Sequence, residues 1–469
     1  MKKVFLIYAP SPKMNRTARC QQPVKELIVL PPLPPTDLMY CASVAEKKGA
    51  TCIIKDYSVT NGTLEDLKKD LAQIKPDILL VNIADTTFET DIQAFSVAKS
   101  IDTNILTVAT GAHFITESKP VLEKYEFTDV IIKGEPEIPF GEIVEGKDFS
   151  QIKGLTFRKN SEIIENENAP FLENLDELPL PARNLTDNDL YIRPDTGEKQ
   201  AIIRVEAGCP NNCFFCLATK VSGAKARYRS AESIISEIKE CKSKYGIKNF
   251  VFWSDLFTAD KDKILEICEK ISAENLDINW SANSRVDTID EELLFAMKKS
   301  GCSLISLGIE SGSQKILDKI GKRITKQQAE NAVKLIKQKG LKVFAYFVIG
   351  LPWETENDIM ETIDFAIKLD PDYVNFYTAT ALTGSRFFDY IKENNLGSPT
   401  DKDFYKNPYY YPCVPTHHVS KEKIKELHKL AVKKFYLRPS YIFKKLREIK
   451  NFTQLKNYFS AGMSIILKK

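Results

Sequence analysis

Short apolar runs alternate with helix-patterned segments along most of this chain, and that alternation restricts it to folds built on parallel sheets. Over the first 145 residues the runs KVFLIY, ATCIIKDY, DILLVNI, NILTVAT and DVIIKG are separated by segments such as DLMYCASVAEKKG, LEDLKKDLAQI and IQAFSVAKSI. Runs apolar at consecutive positions belong to strands buried on both faces, and the intervening helices cover those faces. Five such strands predict a doubly wound, Rossmann-like (flavodoxin-like) α/β domain over residues 1–146. Sheets of this kind bind ligands beyond the carboxyl ends of their strands, which singles out the loops APSPKMN, ADTTFETD and TGAHFIT.

Residues 147–198 read as a connector: two short strand candidates, GLTFRK and EIIEN, precede the proline- and acid-rich FLENLDELPLPARNL. Alternation resumes over 199–393 with AIIRVEAG, NFVFWSD, INWSANS, SLISLGIES, KVFAYFVIG and YVNFYTATA. Six βα units are too few for an eight-stranded barrel and predict an open, partial (β/α)6 barrel with its chemistry at the carboxyl-end mouth. Residues 394–469 hold an aromatic loop, DFYKNPYYYPCVPTHH, and a basic helical region.

The 469 residues contain no uncharged apolar run of about 18 residues, and the start MKKVFLIYAP lacks a small-residue cleavage pattern. The expected address is the cytoplasm. In that reducing compartment Cys41, Cys52, Cys241, Cys268 and Cys302, each in apolar surroundings, are expected to be core residues. Charge is uneven: from Lys421 onward fourteen Lys and Arg face three Glu, so this tail carries +11 and the rest of the chain −8.

Three cysteines stand apart. AGCPNNCFFCLATK places Cys209, Cys213 and Cys216 in a C-x3-C-x2-C spacing directly after the first barrel strand. Thiolates so spaced on a loop can converge on one soft metal centre. A structural zinc site wants a fourth ligand nearby, yet the histidines are His113, His417, His418 and His428, and the next cysteine is Cys241. Zinc with a distant ligand and a chance cluster of core cysteines both stay open, although the loop's Gly, Pro and Asn do not suit a core. Three ligands on a 4Fe-4S cluster leave one iron open to bind a substrate or cofactor.

The pattern C-x3-C-x-aromatic-C, with Phe215 before the last cysteine, resembles the signature of the radical S-adenosylmethionine (SAM) superfamily, whose partial (β/α)6 barrel matches the six units. The resemblance implies a 4Fe-4S cluster on Cys209, Cys213 and Cys216. SLGIESGS, with Gly308, Glu310 and Ser311, is similar to the segment that approaches the SAM methionyl and ribose groups. Arg285 in SANSRVD stands where relatives place a group near the SAM carboxylate. Gly350 in VFAYFVIGLPWET and Asp255 in FWSDLFT are similar to positions near the adenine and the pocket wall. Arg285 and Asp255 suit ion-paired rim residues equally, and the glycines suit close backbone packing.

With the barrel, the first domain resembles that of cobalamin-dependent radical SAM enzymes, through PPLPPTDLMYCASVAEKKGATCIIKDY, TGAHFIT, IIKGEPEIPFGEIVEG and LDELPLPARNL. The histidine-donating D-x-H-x-x-G motif of many cobalamin proteins is absent, and a cofactor-free flavodoxin-type domain is the alternative. By this resemblance Thr86, Thr87 and Phe88 in the third-strand loop and Gly111, Ala112 and His113 in the fourth are the candidate cobalamin contacts. A loop threonine serves equally as a helix cap.

The resemblance implies SAM cleavage to a 5′-deoxyadenosyl radical, hydrogen abstraction from substrate, and methyl transfer from methylcobalamin to a carbon or phosphorus centre. An oxidative cyclase or ring-rearranging enzyme is the nearest alternative, and a non-catalytic cobalamin-binding or redox-sensing protein a more distant one. Expected partners are a small-molecule, lipid or peptide substrate and a flavodoxin- or ferredoxin-type electron donor. Nucleic acid is not expected. The tail, with Phe435, Tyr436, Tyr441, Phe443 and Phe459 among its cations, reads either as a solvated cap or as a peripheral membrane contact.

Overall fold

The computed structural model describes residues 1–16, 21–23, 32–193, 196–397, 412, 414–449 and 452–467; Cys413 and most of its aromatic loop lie outside them. The first sheet carries five parallel strands, β1 (Lys3–Tyr8), β2 (Thr51–Asp56), β3 (Ile78–Asn82), β4 (Leu106–Thr110) and β5 (Val130–Ile132), in spatial order β2-β1-β3-β4-β5. β1 shows why the order is stable. Val4, Leu6 and Tyr8 enter one apolar cluster with Leu38, Ala42 and Phe140, while Phe5 and Ile7 enter another with Leu67, Phe95 and Leu122. Helices therefore cover both faces, as a continuously apolar parallel strand requires.

The boundary expected at residue 146 moves. The two strand candidates GLTFRK and EIIEN form β6 (Leu155–Lys159) and β7 (Glu162–Glu165), which extend the first sheet antiparallel beyond β5 and past residue 146. A two-residue turn with Asn160 and Ser161 both at positive φ joins them, the geometry that suits tight hairpins. β6 lies inside the sheet with Leu155, Thr156 and Phe157 buried, whereas β7 is the half-exposed edge.

Six strands form the second sheet, all parallel and in chain order: β8 (Gln200–Arg204), β9 (Asn249–Trp253), β10 (Asn279–Ser284), β11 (Cys302–Glu310), β12 (Lys342–Ile349) and β13 (Tyr373–Thr378). The connector is tied to this barrel by a buried network in which Glu237 accepts from Arg183 and Arg229.

An open barrel leaves β13 with an unpaired edge, a liability unless something covers it. The helix α1 (Lys421–Tyr436) does so. Its Tyr436 hydroxyl donates to Val374 O and accepts from Val374 N, and His428 Nε2 lies 2.7 Å from Phe376 O. Two further helices follow, α2 (Pro439–Glu448) and α3 (Phe452–Leu467). Phe435 and Tyr441 are buried. Among the described residues no helix is long and apolar enough to cross a membrane.

Candidate active site at the barrel mouth

Beyond β8 the chain turns sharply into the cysteine loop. Gly208 sits at φ +105, and a Cβ there would lie 2.1 Å from Lys225 O, so only glycine fits. Its N–H donates to Asp255 Oδ2 at 2.8 Å, and Cys209 N–H donates to Gly223 O at 3.0 Å. Phe214 is buried against Trp353, Phe387 and Tyr390, which anchors the loop's middle. The three thiols and Phe215 line one cavity of about 630 Å³. Ala218 N–H donates to Cys216 Sγ and Asn211 Nδ2 to Cys209 Sγ. Among the described residues no three His, Cys, Asp or Glu side chains converge on a single ion. Three thiols on one cavity wall are the donor set that a 4Fe-4S cluster takes, each iron on its own thiolate.

Glu310 faces the same cavity. It ends β11 at φ +71, beside a register shift between Gly308 and Glu310. A bulge re-aims a side chain at little cost to the sheet, and a non-glycine residue held at positive φ marks strain kept for a purpose. Its Oε1 accepts from Lys322 Nζ at 2.7 Å, with both residues buried. Burial lowers the Lys322 ammonium's proton affinity, but Glu310 and Cys213 outweigh that and raise it. Gly308 makes room: a Cβ there would meet Glu310 Oε1 at 2.5 Å and Lys322 Nζ at 2.9 Å. Arg285 also lines the cavity, yet its guanidinium holds Asp287 through two 2.8 Å bonds and donates to Lys322 O at 2.8 Å. It thereby positions the Lys322 loop.

Two expected SAM contacts lie elsewhere. Ser311 is fully buried; its Oγ pairs with Thr362 and accepts from Ser313 N–H, so it shapes the turn after β11. Gly350, at φ +92, belongs to a turn in which Glu354 Oε2 accepts from Gly350 and Leu351 N–H at 2.6 and 2.8 Å. Burial pushes the Glu354 carboxyl from 4.5 up to about 8. The folded chain then holds a proton that the unfolded chain has released, so stability falls as pH rises from about 4.5 to 8. Glu354→Gln is expected to flatten that slope, read as urea midpoints at pH 5 and 8.

A smaller cavity of about 140 Å³ lies at the carboxyl ends of β1, β3 and β4, where Gly111, Ala112, Asn82 and Gly134 line it. Gly111 is at φ +143, and a Cβ would lie 2.1 Å from Ile83 O. Asp37, half-buried here, accepts from Tyr8 Oη at 2.5 Å, and desolvation raises its carboxyl to about 6. The remaining cobalamin candidates line neither cavity. Thr86 is buried; Thr87 Oγ1 donates to Asp91 Oδ2 at 2.6 Å. His113 Nδ1 lies 2.6 Å from Asp85 Oδ1, and its ring packs 4.6 Å from that of Phe88. Thr87, Phe88 and His113 close their own loops, while the backbone rim at Gly111 and Ala112 faces the cavity. Trp253 and Asp255 line both cavities. A group as large as a corrin exceeds the smaller cavity alone, and fits the rim only by extending toward the one that holds the thiols.

Sequence reasoning missed Lys322, which sits in a loop with no motif around it, and the aromatic residues Phe344, Tyr346, Tyr373 and Tyr377 of β12 and β13. Alternation along VFAYFVIG and YVNFYTATA is the signal that would have found the aromatics.

A Rossmann-like sheet packed on a partial barrel, with three loop thiols at their junction, defines a class of cofactor-dependent enzyme. Residues 203–366 match the Radical SAM superfamily. An uncharacterized methyltransferase of Pyrococcus horikoshii is 34% identical over 445 residues, covering 92% of this chain and 96% of its own length. This chain belongs to the radical SAM superfamily. An anaerobic magnesium-protoporphyrin IX monomethyl ester cyclase of Cereibacter sphaeroides is 28% identical over 376 residues, 77% of this chain and 60% of that protein. Among solved structures, the cobalamin-dependent SAM radical enzyme OxsB, with aqua-cobalamin and SAM bound, shares the fold at TM-score 0.74 and 15% identity, covering 100% of this chain and 72% of that one. The radical SAM methyltransferase TsrM of Kitasatospora setae, with cobalamin and a 4Fe-4S cluster bound, shares it at 0.68 and 16% identity, covering 91% and 85%.

Proposed function

We propose that this enzyme is a cobalamin-dependent radical SAM methyltransferase acting on an unactivated carbon or phosphorus centre. The observation that carries the reading is the shared wall of the two cavities: Trp253 and Asp255 face both the rim of the first sheet and the chamber of Cys209, Cys213 and Cys216. When bound, a 4Fe-4S cluster, SAM and cobalamin supply reductive SAM cleavage and a transferable methyl group. The chain's own part is placement. The cysteine loop holds the cluster, and Phe215 walls the same chamber. Glu310 and Lys322 present opposite charges beside it, matching the amino and carboxylate groups of SAM. The rim at Gly111 and Ala112 offers backbone to a corrin. Burial of this machinery between two domains keeps water from a reactive radical.

The test is label transfer. Anaerobically reconstituted protein with a low-potential flavodoxin or ferredoxin and methyl-labelled SAM is expected to release 5′-deoxyadenosine and pass label to a small-molecule substrate from a metabolite extract. The similarity to the Cereibacter protein, itself a cyclase, favours one second reading, an oxidative cyclase. Product that carries no label, formed with 5′-deoxyadenosine, would establish that reading instead.

A further inference from the structure

The cavity that begins at the thiols does not stop at the barrel mouth. Along β12 its lining runs from Val348 through Tyr346 and Phe344 to Lys342, and along β11 from Glu310 through Gly308 and Ser306 to Leu304. At about 3.3 Å per residue, Lys342 to Val348 spans about 20 Å, the depth of the barrel. Its far end is lined by Glu448 of α2 and Tyr458 of α3. Among the described residues the lumen therefore reaches from the thiols to where the basic tail packs. Its walls differ: β12 and β13 contribute Phe344, Tyr346, Tyr373 and Tyr377, whereas the small side chains Ser281, Asn283 and Ser306 of β10 and β11 leave width. A long, narrow, aromatic-walled lumen suits an extended apolar chain.

The tail around that end is apolar on the outside. Phe443 and Leu446 of α2 are 65% and 54% exposed; on α3, Leu455, Phe459, Met463 and Ile466 are exposed at the spacing of one helical stripe, Phe459 by 68%. Inward cations are already spent: Lys444 pairs with Asp372, and Lys445 with Glu448. The tail as a whole still carries +11 against −8 for the rest of the chain. Two such tails repel each other, whereas an anionic bilayer attracts the charge and accepts the apolar stripe.

We propose that α2 and α3 dock this enzyme on an anionic membrane, and that the lumen draws in the apolar chain of a lipid substrate from that end toward the thiols. The substrate class rests on the catalytic reading above; the docking face does not.

Flotation of the full, cluster-reconstituted chain tests the docking. Vesicles of phosphatidylcholine with one-third phosphatidylglycerol are expected to carry about tenfold more protein than phosphatidylcholine alone, and high salt to reverse this. The triple variant Phe443→Ser, Phe459→Ser, Ile466→Ser is expected to lose flotation while forming 5′-deoxyadenosine at the wild-type rate. Equal flotation on both vesicles, or none, overturns the docking. So does a wild-type dimer that the triple variant dissolves into monomers with no vesicle binding, which would make the stripe a self-association face. Fluorescent cis-parinaric acid tests the lumen: wild type is expected to bind it, and Ser303→Trp at the far rim and Ser306→Trp midway are each expected to lose it while still floating. Undiminished binding in both tryptophan variants overturns the lumen assignment. A chain that floats and binds the probe but never cleaves SAM sinks the catalytic reading alone; one that cleaves SAM and ignores vesicles and probe sinks this proposal alone.

Discussion

Cys213→Ala is expected to abolish 5′-deoxyadenosine formation and the visible absorbance of the reconstituted cluster, while Cys241→Ala leaves both intact. The contrast follows from placement. Cys213 is buried in the wall of the large cavity. Burial pushes its thiol up on balance, with the Lys322 and Arg285 cations pulling it only part of the way back. A centre held by three thiolates has no spare ligand, and losing one leaves too few to hold it. Cys241 is as buried, but it lies on the barrel helix Ala231–Tyr245 within the apolar core and lines neither cavity. Its sulfur fills space, and removal costs about 1 kcal/mol of stability without touching the site. Anaerobic reconstitution followed by absorbance and product analysis separates the two. Full activity in Cys213→Ala would remove the cluster from this loop.

Local order was legible; convergence was not. The parallel strands could be read because strands buried on both faces leave unbroken apolar runs, and the cysteine loop because its ligands are close in sequence. β6 and β7 read as strands, but their place on the first sheet did not show, because which strand pairs with which leaves no local pattern in the sequence. Lys322 escaped because it reaches Glu310 only through the bulge in β11 and the loop that Arg285 pins. In the first domain the third- and fourth-strand loops were located, but their side chains were not. Thr87, His113 and Phe88 turn back onto Asp91, Asp85 and each other. A loop that must hold its shape spends its hydroxyls and imidazole on itself, leaving glycine and backbone to face the cavity.

Gly308→Ala should leave the fold and the cluster intact and weaken SAM binding about 100-fold, equal to about 2.7 kcal/mol. The added methyl meets only the far ends of Glu310 and Lys322, side chains that can swing away, so the sheet has no reason to rearrange. The ion pair does. Glu310 cannot follow through its backbone, because the bulge and its positive φ fix where the carboxylate starts. Breaking a buried pair costs about 3–5 kcal/mol, and part of that loss falls on any ligand that needs both charges in place. Gly462→Ala, where a Cβ meets nothing within 4 Å, serves as the control and is expected to bind SAM normally. Lys322→Gln should produce a similar loss, and the double variant little more than either alone, because both single changes remove the same arrangement and coupled effects do not add. Calorimetric titration of SAM into wild type and the four variants measures this; wild-type affinity in Gly308→Ala, or strictly additive losses, would show that the pair does not hold SAM.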